Sequence, residues 1–262
     1  MWKKILVIML VVIAITACGK KAPQQDDAIV KTEERFFPVP SFIDLFATLD
    51  YLQRADYDNV IPEEYNTKIN DVYNASFYLG TLTADAIIAT KARNKTKLTS
   101  IAHAMIDYSK MIGINEEVLK LADELMLLIQ EDKWEDLQVS LDKYKNEIER
   151  SLYETHQFDL MTLVQAGGWT EGLYCMTEFI IQNYQTDTSK LLNQKGIVDN
   201  LVRNLNQMEN KELYNEPWFK SLVTGYDKIF SIIKVKNKET FTNEEVEDLR
   251  RISKGIKSGF NF

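Results

Sequence analysis

Asn115-Glu116-Glu117-Val118-Leu119-Lys120-Leu121-Ala122-Asp123-Glu124-Leu125-Met126-Leu127-Leu128-Ile129 decides the fold class. Asn115 is a short polar residue suited to accept from the free N–H groups of a first helical turn. Val118, Leu119, Ala122, Leu125, Met126 and Ile129 then recur at the helical period and form one apolar stripe. No segment of the chain shows the sustained two-residue alternation, bounded by turn dipeptides, of a half-buried strand. The chain therefore reads as all-α.

The same period extends in both directions. Upstream, Ser41 caps a helix carrying Phe42, Leu45, Phe46, Leu49 and Leu52. Pro62, Glu63 and Glu64 predict the next helix start. That helix would run through Tyr65, Ile69, Val72, Tyr73 and Phe77, past Gly80, to about Thr90. Another spans Lys95 to Ile112, with Gly113 as a left-handed stop. Downstream, Asp132 and Glu135 have capping-box spacing and open a helix through Leu137, Leu141, Tyr144, Ile148 and Leu152. A long helix over Gln157–Asn183 should be disturbed at Gly167-Gly168; the glycines there and at Gly172 read as points of close helix packing, where a missing Cβ lets backbones approach, with a kink or π-bulge as the sharper alternative. Thr188 or Ser189 opens one through Leu191, Val198, Leu201, Leu205 and Met208. Pro217 begins another, with Phe219, Leu222, Tyr226, Ile229 and Phe230. Thr242 and Glu245 form a second capping box before Val246, Leu249, Ile252 and Ile256. Short polar connections favour antiparallel neighbours. The expectation is a multi-helix bundle or array of about eight to ten helices in one domain, 36–262.

Composition narrows the function classes. The 262 residues are 45% hydrophobic and 27% charged, with 10 Gly and 5 Pro, which excludes collagen-like, low-complexity and disordered chains. Lys+Arg 31 against Asp+Glu 39 gives a net charge of -8 and argues against a nucleic-acid partner. Two cysteines are too few for a disulfide scaffold, and two histidines leave little room for a His-built metal site.

The leader gives the address. Lys3 and Lys4 precede an apolar run from Ile5 to Ile15, followed by small residues before Cys18. A helix of that run spans roughly 16 Å at about 1.5 Å per residue. The hydrocarbon core is about 30 Å thick. Residues 1–17 therefore read as a secretory signal peptide, in preference to a permanent membrane span. Ile15-Thr16-Ala17-Cys18 resembles the lipobox of bacterial lipoproteins, with Ile15 in place of the commoner Leu. The resemblance implies cleavage before Cys18 and its modification by fatty acyl chains such as palmitate, which anchor the chain in a bilayer. An ordinary secretory signal with an incidental cysteine is the alternative.

Cleavage removes Lys3 and Lys4 and leaves a body that gains nothing from anionic headgroups. Residues 18–35, including Gly19-Lys20-Lys21, read as a lipidated flexible linker. Phe36-Phe37-Pro38-Val39-Pro40 should dock onto the domain. By the sorting habits of lipoproteins, Gly19 after Cys18 points to an outer membrane, facing the periplasm. A Gram-positive host would make the protein an extracellular lipoprotein.

Leu79-Gly80-Thr81-Leu82-Thr83-Ala84-Asp85 and Ala166-Gly167-Gly168-Trp169-Thr170-Glu171 form a faint internal repeat. Each places glycine shortly before an acid in an apolar helical stretch. Two pseudo-repeated halves, 41–155 and 156–258, are one reading; chance likeness is the other. These segments are similar to those of uncharacterised all-helical lipoproteins of the Bacteroidetes, a resemblance that implies no activity. The imelysin family was weighed, but its Gly-x-His-x-x-Glu signature is absent.

The candidate site follows from the repeat. Asp85 and Glu171 would sit on matching helices, where facing carboxylates can bind a cation or do acid–base work. Capping of a neighbouring backbone, or pairing with Lys or Arg, is the plainer alternative. Glu178 shares a face with Glu171, with Cys175 between them. Cys175 reads as a buried small hydrophobe, with nucleophile as the sharper alternative. His103 and Asp107 share a helix face, and Trp169, Tyr174 and Tyr184 could line a pocket or simply fill the core. The ligand-binding candidates are Asp85, Glu171, Trp169, Glu178 and His103. No catalytic set, metal ligands or cofactor is assigned. The expected partners are the bilayer, through Cys18, and an envelope protein or small ligand.

Overall fold

Among the described residues the fold is built of eight α-helices and two short 3-10 turns, with no strand. The computed structural model describes residues 36–40, 56–63, 65, 68–235 and 238–260. The expected leader and linker, with Cys18, and the helix expected after Ser41 lie outside them. The helices are α1 (Val72–Ala92), α2 (Lys95–Met111), α3 (Glu116–Gln130), α4 (Trp134–Glu154), α5 (Phe158–Gln182), α6 (Lys195–Leu205), α7 (Pro217–Ile233) and α8 (Asn243–Ser258).

Several boundaries follow the local chemistry read from the sequence. Asn115 accepts from the Val118 N–H, Thr242 and Glu245 close a reciprocal capping box, and Gly113 stops α2 with φ 82. Others differ. The segment from Pro62 to Asn70 is not helical where described, and α1 starts only at Val72, because Asp71 accepts from the Asn74 N–H and caps it there. The capping box expected at Asp132 does not form. Asp132 takes φ 57, and Lys133 falls at the N-cap of α4 without a side-chain capping bond. The expected Thr188 helix is split into a 3-10 turn, Thr188–Leu192, and α6. Helix α5 runs unbroken through Gly167-Gly168.

Packing explains that last difference. Helices α1 and α5 are buried on every side over most of their length, so they are core helices rather than amphipathic surface ones. They cross with their backbones in contact. A Cβ on Gly80 would stand 1.9 Å from the Val164 carbonyl oxygen, and one on Gly167 would stand 1.9 Å from the Phe77 carbonyl oxygen. Each glycine thus meets the carbonyl three residues before the other glycine. The missing side chains let two helices approach; they do not bend one.

Around this crossing the packing order repeats. Helix α1 contacts α2, α2 contacts α3, α3 contacts α4, and α4 returns to α1. In the same way α5 contacts α6, α6 contacts α7, α7 contacts α8, and α8 returns to α5. The ends of the described body fasten onto this frame. Asn204 brackets Phe37, accepting from its N–H at 2.9 Å and donating to its carbonyl at 2.8 Å. Phe260 stacks on Phe77, with ring centres 3.8 Å apart. Among the described residues no helix is long and apolar enough to cross a membrane.

Candidate functional site

Beyond the glycine crossing, α1 and α5 turn their acids toward each other. Asp85 follows Gly80 by five residues and Glu171 follows Gly167 by four. Cys175 lies one further turn along α5 from Glu171 and so shares its face. Ligand atoms of Asp85, Glu171 and Cys175 all lie within 4.8 Å of one another, and all three residues are buried. Lys257, from the last turn of α8, forms an ion pair with Glu171 Oε2 and lies over the Tyr174 ring at 4.3 Å. Cys175 Sγ donates to the other oxygen, Glu171 Oε1, at 3.4 Å. Tyr65, from the segment before α1, brings its hydroxyl beside Asp85.

The electrostatics are set by exclusion of water. Burial, reinforced by the neighbouring Glu171, holds the Asp85 carboxyl well above the usual carboxylate range and so favours its protonated form. Burial and the neighbouring Glu171 and Asp85 push the Cys175 thiol up, which keeps it a thiol. Burial alone would discharge Lys257, but the charge of Glu171 outweighs it and keeps the ammonium. Neither oxygen of Asp85 nor the Tyr65 hydroxyl has a partner in hydrogen-bond geometry among the described residues. Buried polar groups in that condition call for an explanation.

The other sequence candidates go elsewhere. Glu178 pairs with Arg250 of α8 at 3.2 Å, one helical layer from the cluster. Trp169 is fully buried and packs against Tyr226 at 5.7 Å between ring centres, which makes it core. Its indole N–H has no acceptor among the described residues. His103 and Asp107 are exposed on α2, so the expected contribution of His103 to an enclosed site is not realised. Tyr184 donates to the Phe241 carbonyl and secures a loop.

Two members of the cluster were not singled out from the sequence. Lys257 lies four residues after Ser253 and eleven after Val246, on the apolar face of α8, and a cation at that spacing was the available signal. Tyr65 was assigned to a helix stripe and instead arrives from an irregular segment, which no periodicity reports.

Comparison with protein-family models, with curated proteins and with solved structures yields no match. The site is therefore read from its own geometry: a water-excluded cluster that can hold a cation or pass a proton between two acids.

Proposed function

We propose that this chain is a membrane-anchored cell-envelope lipoprotein whose helical body binds an envelope protein or a small ligand. The observation that carries it is Ile15-Thr16-Ala17-Cys18 at the end of a short apolar run that follows two lysines. Acylation at Cys18 would hold an acidic body beside a bilayer that does not otherwise attract it. The binding half of the reading draws on a surface cleft between α7 and α8. Its volume is about 380 Å3, and Lys220, Ser221, Thr224, Lys228 and Arg251 line it over Gly225 and Gly255. Its lysines and hydroxyls suit an anionic group, although Arg251 is already paired with Asp248.

Metabolic labelling with palmitate tests the anchor in cells. Labelled protein in the membrane fraction is expected, with an uncut precursor accumulating under globomycin or in Cys18→Ala. Unlabelled protein with normal processing in both conditions overturns the reading.

A second reading, an envelope hydrolase or metal-dependent enzyme, is favoured by one observation: Asp85 and Glu171 share a buried cluster. Against an enzyme, Asp85, Glu171 and Cys175 are all buried, away from any substrate in solution. Hydrolysis of model esters and phosphoesters that is lost in Asp85→Asn would favour the enzyme.

A further inference from the structure

We propose that Asp85, Glu171 and Cys175 bind one divalent transition-metal ion of the zinc or cobalt class, with Tyr65 beside the fourth position. This site is independent of the membrane anchor and of the α7–α8 cleft.

Four observations carry it. The three ligand atoms converge within 4.8 Å, a spread that a small contraction brings to that of ligands around one ion. Glu171 and Cys175 are one turn apart on a rigid helix, and Asp85 comes from the helix crossing it, so the donors sit on elements whose relative position the glycine contacts fix. Neither oxygen of Asp85, a residue 1% exposed, has a partner in hydrogen-bond geometry among the described residues, and one of them lies within 4.8 Å of the other two donor atoms. The two oxygens of Glu171 are divided between tasks. Oε1 faces Cys175 Sγ, where an ion would bridge them, and Oε2 faces Lys257. A lysine behind a ligating carboxylate orients it, as outer-shell partners of metal ligands do.

Charge and donor chemistry select the ion. Two carboxylates and a thiolate carry three negative charges, and Lys257 and a divalent ion together supply three positive ones, so the loaded cluster is neutral in a medium that penalises net charge. On binding, Asp85 and Cys175 give up their protons to solvent. A thiolate with two carboxylates is a borderline set that suits zinc or cobalt, whereas calcium and magnesium take all-oxygen sites. Lys257 and Tyr65, both only partly covered, connect the cluster to the surface.

The test uses the full mature chain in detergent, stripped with a chelator and then dialysed against zinc or cobalt alone. The expected result is one ion per chain by elemental analysis. The cobalt form should show a near-ultraviolet sulfur-to-metal charge-transfer band that disappears in Cys175→Ser. Asp85→Asn should weaken zinc binding by at least ~10-fold while its metal-free circular dichroism matches the parent. The spectrum of the parent protein decides the matter even where a variant fails to fold. No metal above background in the parent, no charge-transfer band, or unchanged binding in folded Cys175→Ser and Asp85→Asn, overturns the proposal.

Discussion

The two four-helix groups, α1–α4 and α5–α8, share a packing order but not a charge pattern. In the first, the buried Lys145 pairs with Glu149 one turn away on its own helix, at 2.9 Å. In the second, Lys257 reaches from α8 across to Glu171 on α5. The central acid of the second group therefore has a cation, while Asp85, the central acid of the first, has none of its own. Backbone shape repeats because the glycine crossing demands it twice. Polar content does not repeat, because one cation can satisfy only one of two acids brought to the same place. The metal proposal grows from that inequality.

Substituting the crossing glycines should produce the largest effect. Gly80→Ala and Gly167→Ala each drive a methyl into a backbone carbonyl that cannot move aside. Each should cost about 3 kcal/mol or more, because the displaced atom belongs to the facing helix and not to a flexible side chain. Equal losses in urea unfolding would sharpen the reciprocity of the two groups; a tolerated Gly167→Ala beside a damaging Gly80→Ala would break it. Gly255 offers the contrast, since a Cβ there meets nothing within 4 Å. Gly255→Ala should raise stability by roughly 0.5–1 kcal/mol through helix propensity.

Charge deletion comes next. Lys257→Met strands a fully buried Glu171 next to Asp85, and should destabilise by about 3 kcal/mol. Adding Glu171→Gln should recover most of the loss in thermal melts, since the stranded charge is then gone. Failure of the double variant to recover would mean that the ammonium contributes packing and not charge.

A smaller loss, about 1 kcal/mol, is expected for Thr242→Ala, which removes the side-chain half of the capping box opening α8. Chemical denaturation checks it, and the loss should leave the α1–α4 group unaffected by hydrogen exchange.

The smallest effect is a slope. Burial raises the Glu149 carboxyl despite the charge of Lys145. The folded protein thus holds that proton more tightly than the unfolded chain does. Its contribution to stability is complete below the ordinary carboxylate value and is lost as pH rises through the raised one. Glu149→Gln, which cannot titrate, should flatten this decline in stability measured across the mildly acidic range. An unchanged slope would locate the titration elsewhere.

Much of this molecule was legible because helices declare themselves locally. Asn115, Gly113, Pro217 and Thr242 mark their ends through groups within four residues, and the apolar stripes of α3, α4, α7 and α8 need only their own period. The failures were also physical. Asp71 outcompeted Pro62 as the start of α1, since a side-chain acceptor satisfies a free N–H and proline only avoids creating one. Asp132 entered the left-handed region and lost its capping role. The cluster was half legible. Asp85 and Glu171 stood out because acids are rare in apolar helical runs, whereas Tyr65 and Lys257 arrive from segments far along the chain. His103 was drawn in by its spacing from Asp107, and that shared face turns to solvent.

The amino-acid order by itself determined the helical class, most helix ends, the lipobox-like leader and the two acids in apolar surroundings, since each depends on neighbours a few bonds away. Tertiary structure decided which carbonyls Gly80 and Gly167 meet, that Lys257 answers Glu171 and that Asp85 stands beside Cys175. Those outcomes depend on which distant surfaces meet, and no local spacing encodes that.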